Sequence, residues 1–395
     1  MEVNYGTCSN CRASRTPIGK LGGALASLSA DQLGTIVIQA ALNRAHVNPD
    51  QVDEVYLGCA IQAGAGQNVA RQAAVNAGIP YSVPATTINV MCGSGLQAIN
   101  LAAKMIQYGD ADVMVAGGTE SMSNAPYLIP KGRFGYKYGN AELIDAVYHD
   151  GLEDAFYHYP MGITAENLVQ QYGITREQLD RFALESQRRA QAAQQAGRFK
   201  NEIVPVTLKT KHGTKTIMED EAIRETSLGQ LANLKAAFLE DGVVTAGNSS
   251  GINDGAAALV LMKESQAKVQ HLSIMGYWDA GKLAGVDPQV MGIGPLVATK
   301  KVLEVTNLTV DQLDLVELNE AFAAQSLIVK DQLNLPDDKV NVNGGAIALG
   351  HPLGDSGARI VVTLLYEMQR RQVNTGLATL CIGGGMGIAA IFNRI

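Results

Sequence analysis

No uninterrupted apolar run in this 395-residue sequence approaches the roughly 18 residues that mark a membrane-spanning helix. Cysteine is scarce and odd in number, five in all, without the spacing of a disulfide scaffold, which fits a reducing compartment. The N-terminus lacks the basic-then-apolar pattern of a secretory leader. Positive charge is in deficit: 31 Lys and Arg against 38 Asp and Glu leave a formal charge of -7. Such a balance gives no global attraction to nucleic acid or to an anionic membrane, so an anionic ligand must be held by a local basic patch. Together these absences predict a soluble cytoplasmic protein with no nucleic-acid or membrane partner. What the chain has in quantity is hydrophobic residues, 47%, enough for a large core in two or three domain-sized units.

The most informative stretch is Met91-Cys92-Gly93-Ser94-Gly95. Before it, Ala85 to Val90 is rich in β-branched residues; after it, Leu96 to Ile106 carries apolar residues at helical spacing. The pattern predicts a strand that turns into a helix at Cys92. A helix N-terminus favours thiolate over thiol, and the small residues beyond it let a substrate approach the backbone. Taken alone, Cys92 reads more readily as a buried structural cysteine.

Helical periodicity also predicts helices over 29–45, 68–77 and 175–196, the last with Thr175 as N-cap and Gly197 as stop. Strands are predicted over 52–57, 111–116, 254–262 and 377–382. Alternating strands and helices imply an α/β fold with a largely parallel sheet. Between Ser121 and about Ser250, Tyr, Gly, Lys and Arg become frequent and long strands vanish, which marks an inserted loop domain. Within it, 127–140 reads as a hairpin arm with exposed aromatics suited to a subunit contact. From Ser273 onward the chain repeats its first half: 341–350 passes through His351 into a helix over 356–371, as 85–90 passes through Cys92. The expected units are 1–120 completed by 251–272, the loop domain 121–250, and a second half 273–395, with Cys92 and His351 on equivalent turns.

Four strand or helix ends carry reactive or polar groups: Cys92, the run Asn319-Glu320-Ala321-Phe322, His351, and Cys381 before three glycines. His351 could keep a thiolate ionised, Cys381 could be a second proton-handling thiol, and free N–H groups among the glycines could hold an oxyanion. Singly, each has a structural reading of equal weight: a capping histidine, a core cysteine, a turn-forming asparagine.

Taken in order, the motifs Asn89-Val90-Met91-Cys92-Gly93-Ser94-Gly95, Gly117-Gly118-Thr119-Glu120-Ser121-Met122-Ser123, Asn319-Glu320-Ala321-Phe322, Gly350-His351-Pro352 and Cys381-Ile382-Gly383-Gly384-Gly385 resemble those of the thiolase family. The resemblance runs from Arg15-Thr16-Pro17 to the C-terminus. It implies a five-layered αβαβα fold of two duplicated halves with a loop domain that grips coenzyme A. It also implies reversible condensation of two acetyl-CoA into acetoacetyl-CoA and CoA, without a metal or other cofactor. Cys92 would carry the acetyl group, with its own N–H and that of Gly383 as one oxyanion hole. His351 and a water on Asn319 would form the other, and Cys381 would move the proton at C2 of the second acetyl-CoA. Thr245 to Gly251 resembles the loop that contacts pantetheine, with Ser250 the contacting serine and Ala246 beside it. Arg224 matches an arginine near the adenine, and Met161, Ala321 and Phe322 fall at substrate-binding positions. The arm implies a homotetramer, a dimer of dimers. The rival readings are a degradative 3-ketoacyl-CoA thiolase of broader chain length and a non-catalytic member that binds CoA or lipid.

Three departures stand out. Asn4 to Cys11 puts turn formers where an apolar central strand is usual, which weakens the expectation of a strand over 1–13. Its Cys8/Cys11 spacing is a lone CxxC, weak evidence for zinc. Pro160 replaces a histidine often found before Met-Gly in acetoacetyl-CoA thiolases, and Asp355 stands where a small apolar residue is common, which reads as a first-turn acid.

Overall fold

The computed structural model describes residues 8–211 and 213–394. Strands and helices alternate through the first part: β1 (Cys8–Arg15), α1 (Ala30–Ala45), β2 (Glu54–Gly58), α2 (Val69–Asn76), β3 (Ala85–Ile88), α3 (Ser94–Tyr108) and β4 (Val113–Ser121). The chain then leaves the sheet through two helices, α4 (Met161–Tyr172) and α5 (Arg176–Gln195). Thr175 caps α5 by accepting from the Gln178 N–H, and Gln178 answers by accepting the Thr175 N–H at 2.8 Å. The sheet resumes with β5 (Asn253–Lys263) and β6 (Gly276–Gly285). It is followed by α6 (Gly294–Thr306), β7 (Leu315–Leu318), α7 (Ala323–Gln332), α8 (Leu353–Arg371), β8 (Thr375–Ile382) and β9 (Met386–Asn393).

The strands run in the order β7-β8-β9-β6-β1-β5-β4-β2-β3, two similar halves joined where Ser9 and Asn10 of β1 meet Tyr277 and Gly276 of β6. The sheet is mixed rather than largely parallel. β2 lies parallel to β3 and β4, and β7 to β8, where a helix returns the chain; β1, β5, β6 and β9 pair antiparallel. Three apolar cores separate the layers. One lies between α1–α2 and the first half-sheet, one between α6–α7 and the second, and the largest surrounds α3 and α8 between the halves. That stacking is the five-layered αβαβα arrangement.

β1 corrects the sequence expectation. Despite its turn formers, Cys8–Arg15 is a central strand, paired with β5 on one side and β6 on the other, with a bulge between Asn10 and Arg12. Pairing on both edges overrides weak strand propensity. Residues 1–7 and the Cys11 side chain, and with them the CxxC spacing, lie outside the described residues. Among the described residues no three His, Cys, Asp or Glu side chains converge to hold a metal ion, and no helix is long and apolar enough to cross a membrane.

The repeat is less regular than its sequence. Where the first half has β3, the second has a single bridge between Val316 and Val340, then a short helix, Ala346–Leu349. The left-handed Gly344 turns the chain there, and a side chain on Gly345 would collide with the Glu320 carboxylate. In the arm, Tyr127–Leu128 pairs with Ile144–Asp145, and Phe134 and Tyr138 between them are 84% and 101% exposed.

Candidate active site

Cys92 stands on a strained turn. Met91 holds φ 46°, left-handed for a non-glycine residue. Asn89 Oδ1 accepts the Met91 N–H at 3.0 Å, and Ser94 Oγ accepts the Val90 N–H at 2.8 Å while donating to the Met91 carbonyl. A side chain on Gly93 would run into Ile382, so glycine lets the turn close on the end of β8. There Cys92 meets the N–H of Gly383 as well as its own.

The helix begins two residues later than expected, at Ser94, so Cys92 lies just outside it. The predicted thiolate does not follow. Burial outweighs the two N–H donors, the Glu120 charge adds to it, and the thiol is pushed up to about 11. Nor is His351 a cation: burial, with Arg359 nearby, lowers it to about 3. At neutral pH the pair is a thiol and a neutral imidazole.

His351 precedes α8, whose first turn supplies Ser356 Oγ, 2.5 Å from His351 Nδ1. Asn253 Oδ1 accepts the His351 N–H at 2.9 Å. Asn319, which follows β7, places Nδ2 3.4 Å from His351 Nδ1, while its buried Oδ1 has no protein partner. Cys381 is buried at the end of β8 and held as a thiol by burial first and by Cys92 second.

Cys92, His351, Cys381 and Gly383 share one cavity of ≈ 430 Å³ with Met161, Ala246, Ser250, Ala321 and Phe322. The loop over 245–251 is strapped to the Asn319–Phe322 run, since the Ser250 N–H donates to the Ala321 carbonyl at 3.0 Å and Ser249 bridges Phe322. Gly162 leaves room for the Phe238 ring over the cavity. Arg224 is not brought in: its side chain is exposed outside the cavity, and its N–H donates to Gln187. Asp355 is in the first turn of α8, as expected, but it is buried rather than harmlessly solvated. It is 1% exposed, neither carboxyl oxygen has a protein partner, and burial pushes it up to about 8. The sequence motifs contain Met91 and Asn89 but give no role to them or to Ser356. Ser356, five residues after His351 and one turn into α8, carried a usable signal; the conformation of Met91 carried none.

A cysteine at a strand-to-helix turn, a neutral histidine just before a helix and a second cysteine at a strand end, facing an apolar cavity between duplicated halves, are the parts of covalent acyl transfer. The chain belongs to the thiolase family: the thiolase N-terminal domain matches residues 11–265 and the thiolase C-terminal domain residues 272–394. An acetyl-CoA acetyltransferase of Chromobacterium violaceum is 54% identical over 384 residues, covering 97% of this chain and 98% of its own. Another, of Cupriavidus necator, is 53% identical over 384 residues with the same coverage. The crystal structure of the Bacillus anthracis acetyl-CoA acetyltransferase matches with TM-score 0.98 over 100% of both chains at 45% identity.

Proposed function

We propose that the protein is an acetyl-CoA C-acetyltransferase that condenses two acetyl-CoA into acetoacetyl-CoA and CoA, reversibly, with no cofactor. The observation that carries this reading is the convergence of Cys92, His351, Cys381 and the Gly383 N–H on one cavity. Similarity to acetyl-CoA acetyltransferases along nearly the whole chain supports it.

In this reading Cys92 Sγ attacks the thioester carbonyl while its proton passes to His351 Nε2. The carbonyl oxygen gathers charge against the N–H groups of Cys92 and Gly383. The C–S bond to CoA breaks, and the departing sulfur is protonated by Cys381, leaving a thiolate there and acetyl on Cys92. Cys381 then takes a proton from C2 of a second acetyl-CoA, whose enolate oxygen rests on His351 and a water on Asn319. The new C–C bond forms as the Cys92–acetyl bond breaks, and the His351 proton returns to Cys92 Sγ. Pantetheine lies along Ser250 and Ala246, with the acyl end by Met161, Ala321 and Phe322. Arg224 reaches adenine only when the CoA head lies over the loop-domain surface.

The protein works as a cytoplasmic homotetramer in acyl-CoA and lipid metabolism, and the exposed Phe134 and Tyr138 pack on a second copy. Light scattering of the purified protein checks the assembly. The activity is tested by thiolysis of acetoacetyl-CoA against longer 3-ketoacyl-CoAs. The expected result is clear preference for the four-carbon substrate, with acetyl label on Cys92 by mass spectrometry. Faster thiolysis of longer chains makes the protein a degradative thiolase, and no label on Cys92 overturns the mechanism.

A further inference from the structure

We propose that Glu120 is a positioning residue that locks the Cys92 turn of one half to the His351 turn of the other. Glu120 lies near the end of β4, is fully buried, and with one carboxyl group reaches the start of α8 after His351 and the 59–61 loop that in turn holds the Cys92 turn. Its Oε2 accepts the N–H of Ala60 at 2.8 Å and that of Gly354 at 2.7 Å; its Oε1 accepts the N–H of Ile61 at 3.1 Å. Gly354 is in the first turn of α8, between His351 and the Ser356 that holds its ring.

On the other side the link runs through backbone. The Ala60 carbonyl accepts from Asn89 Nδ2 at 3.1 Å, and Asn89 Oδ1 accepts the N–H of Met91, the left-handed residue that presents Cys92. The ordered path Met91–Asn89–Ala60–Glu120–Gly354 thus crosses from one half to the other. Because nucleophile and base sit on different halves, nothing in either half alone fixes their separation. Attack tolerates little error in it.

Three titratable groups face this carboxyl: Cys59, whose Sγ is 3.5 Å from Oε1, Cys92, and Asp355 on α8. Burial pushes Glu120 up to about 7 against its three backbone donors. Its charge disfavours a resting Cys92 thiolate.

The inference rests on the proposed activity and is tested with Glu120→Asp, Glu120→Gln and Asn89→Ala in the full chain. Readouts are thiolysis kcat and KM, melting temperature, and the pH midpoint of Cys92 alkylation by iodoacetamide. Glu120→Asp keeps the charge but cannot span both turns, so kcat falls on the order of 100-fold, the cost of about 1 Å of misplacement, with KM and the alkylation midpoint unchanged. Glu120→Gln loses rate as well but moves the alkylation midpoint to lower pH, because a negative charge is gone. Asn89→Ala, at an exposed side chain, cuts the same path elsewhere and reproduces the kcat loss even where a Glu120 variant does not fold. A kcat within twofold of wild type in Asn89→Ala or in a folded Glu120 variant overturns the proposal, as does an unmoved midpoint in folded Glu120→Gln. Absence of thiolysis in the wild-type protein instead fails the proposed function; the lock is then read from the melting temperatures of Glu120→Asp and Asn89→Ala, which fall below that of the wild type, and unchanged melts overturn it.

Discussion

Ser356 Oγ lies 2.5 Å from Nδ1 of His351 and 2.7 Å from the carbonyl oxygen of Pro352. A hydroxyl has one proton, and the helix-turn contact with Pro352 takes it, so Nδ1–H donates to Ser356. Nε2 is then the basic nitrogen, with no protein partner of its own and its ring lining the cavity.

Ser356→Ala removes the acceptor that fixes this tautomer. The expected outcome is a fall in kcat of about tenfold, one hydrogen bond's worth, with KM for acetoacetyl-CoA little changed. Steady-state thiolysis checks it, and an unchanged kcat would show that Ser356 only packs the turn.

His351 makes the protein sensitive to acid. Its folded value of about 3 lies below that of an unfolded histidine, so its stability contribution is full above about pH 6.5 and is lost as the pH falls toward 3. His351→Asn removes that slope. Relative to the variant, the wild type should lose about 2 kcal/mol between pH 7 and pH 5. Urea midpoints at the two pH values measure it, and parallel losses in both proteins refute it.

Asp355 acts in the opposite sense. Its folded value, about 8, lies above that of an unfolded aspartate, so the fold loses stability as pH rises from about 4 to 8. Asp355→Ala removes a buried acid without a protein partner and should stabilise by about 1–3 kcal/mol, more at pH 8 than at pH 5. Thermal melts across that range test it; a destabilised variant at pH 8 would mean the carboxyl has a partner that matters.

The two thiols separate by half-reaction. Cys92→Ala should lose both directions of turnover. Cys381→Ala should still take acetyl label on Cys92, slowly, yet form no acetoacetyl-CoA and exchange no C2 protons with deuterated water. Proton NMR of recovered acetyl-CoA reads the second step. Exchange at the wild-type rate moves the base to another group.

That Cys92, His351 and Cys381 would come together in one cavity was legible because each sits where one hydrophobic period gives way to a turn, and the five ordered motifs tied them together. Their ionisation was not legible. A helix-end argument favours thiolate, but Cys92 precedes Ser94, and burial is a property of the assembled cavity. Partners distant in sequence were equally hidden. Arg15 is fully buried because Glu202 and Asp220 meet its guanidinium at 2.6 and 2.7 Å, and neither acid bears a local sign of that role. β1 was misjudged for the same reason: Asn10 has low strand propensity and both side-chain amide atoms lack a protein partner, yet its backbone is held by strands on both sides.

The first strand also waits longest for its neighbour. Cys8 pairs with Lys263, about 250 residues downstream, and at roughly 5–20 residues per second a ribosome needs ten seconds or more to supply that partner. During this time β1 has both edges free, the condition in which apolar strands find strangers. Ser9 and Asn10, poor residues for a finished central strand, make a poor template for association on the nascent chain. The cleft between the halves can therefore form only after β5 and β6 have been made and have closed on β1.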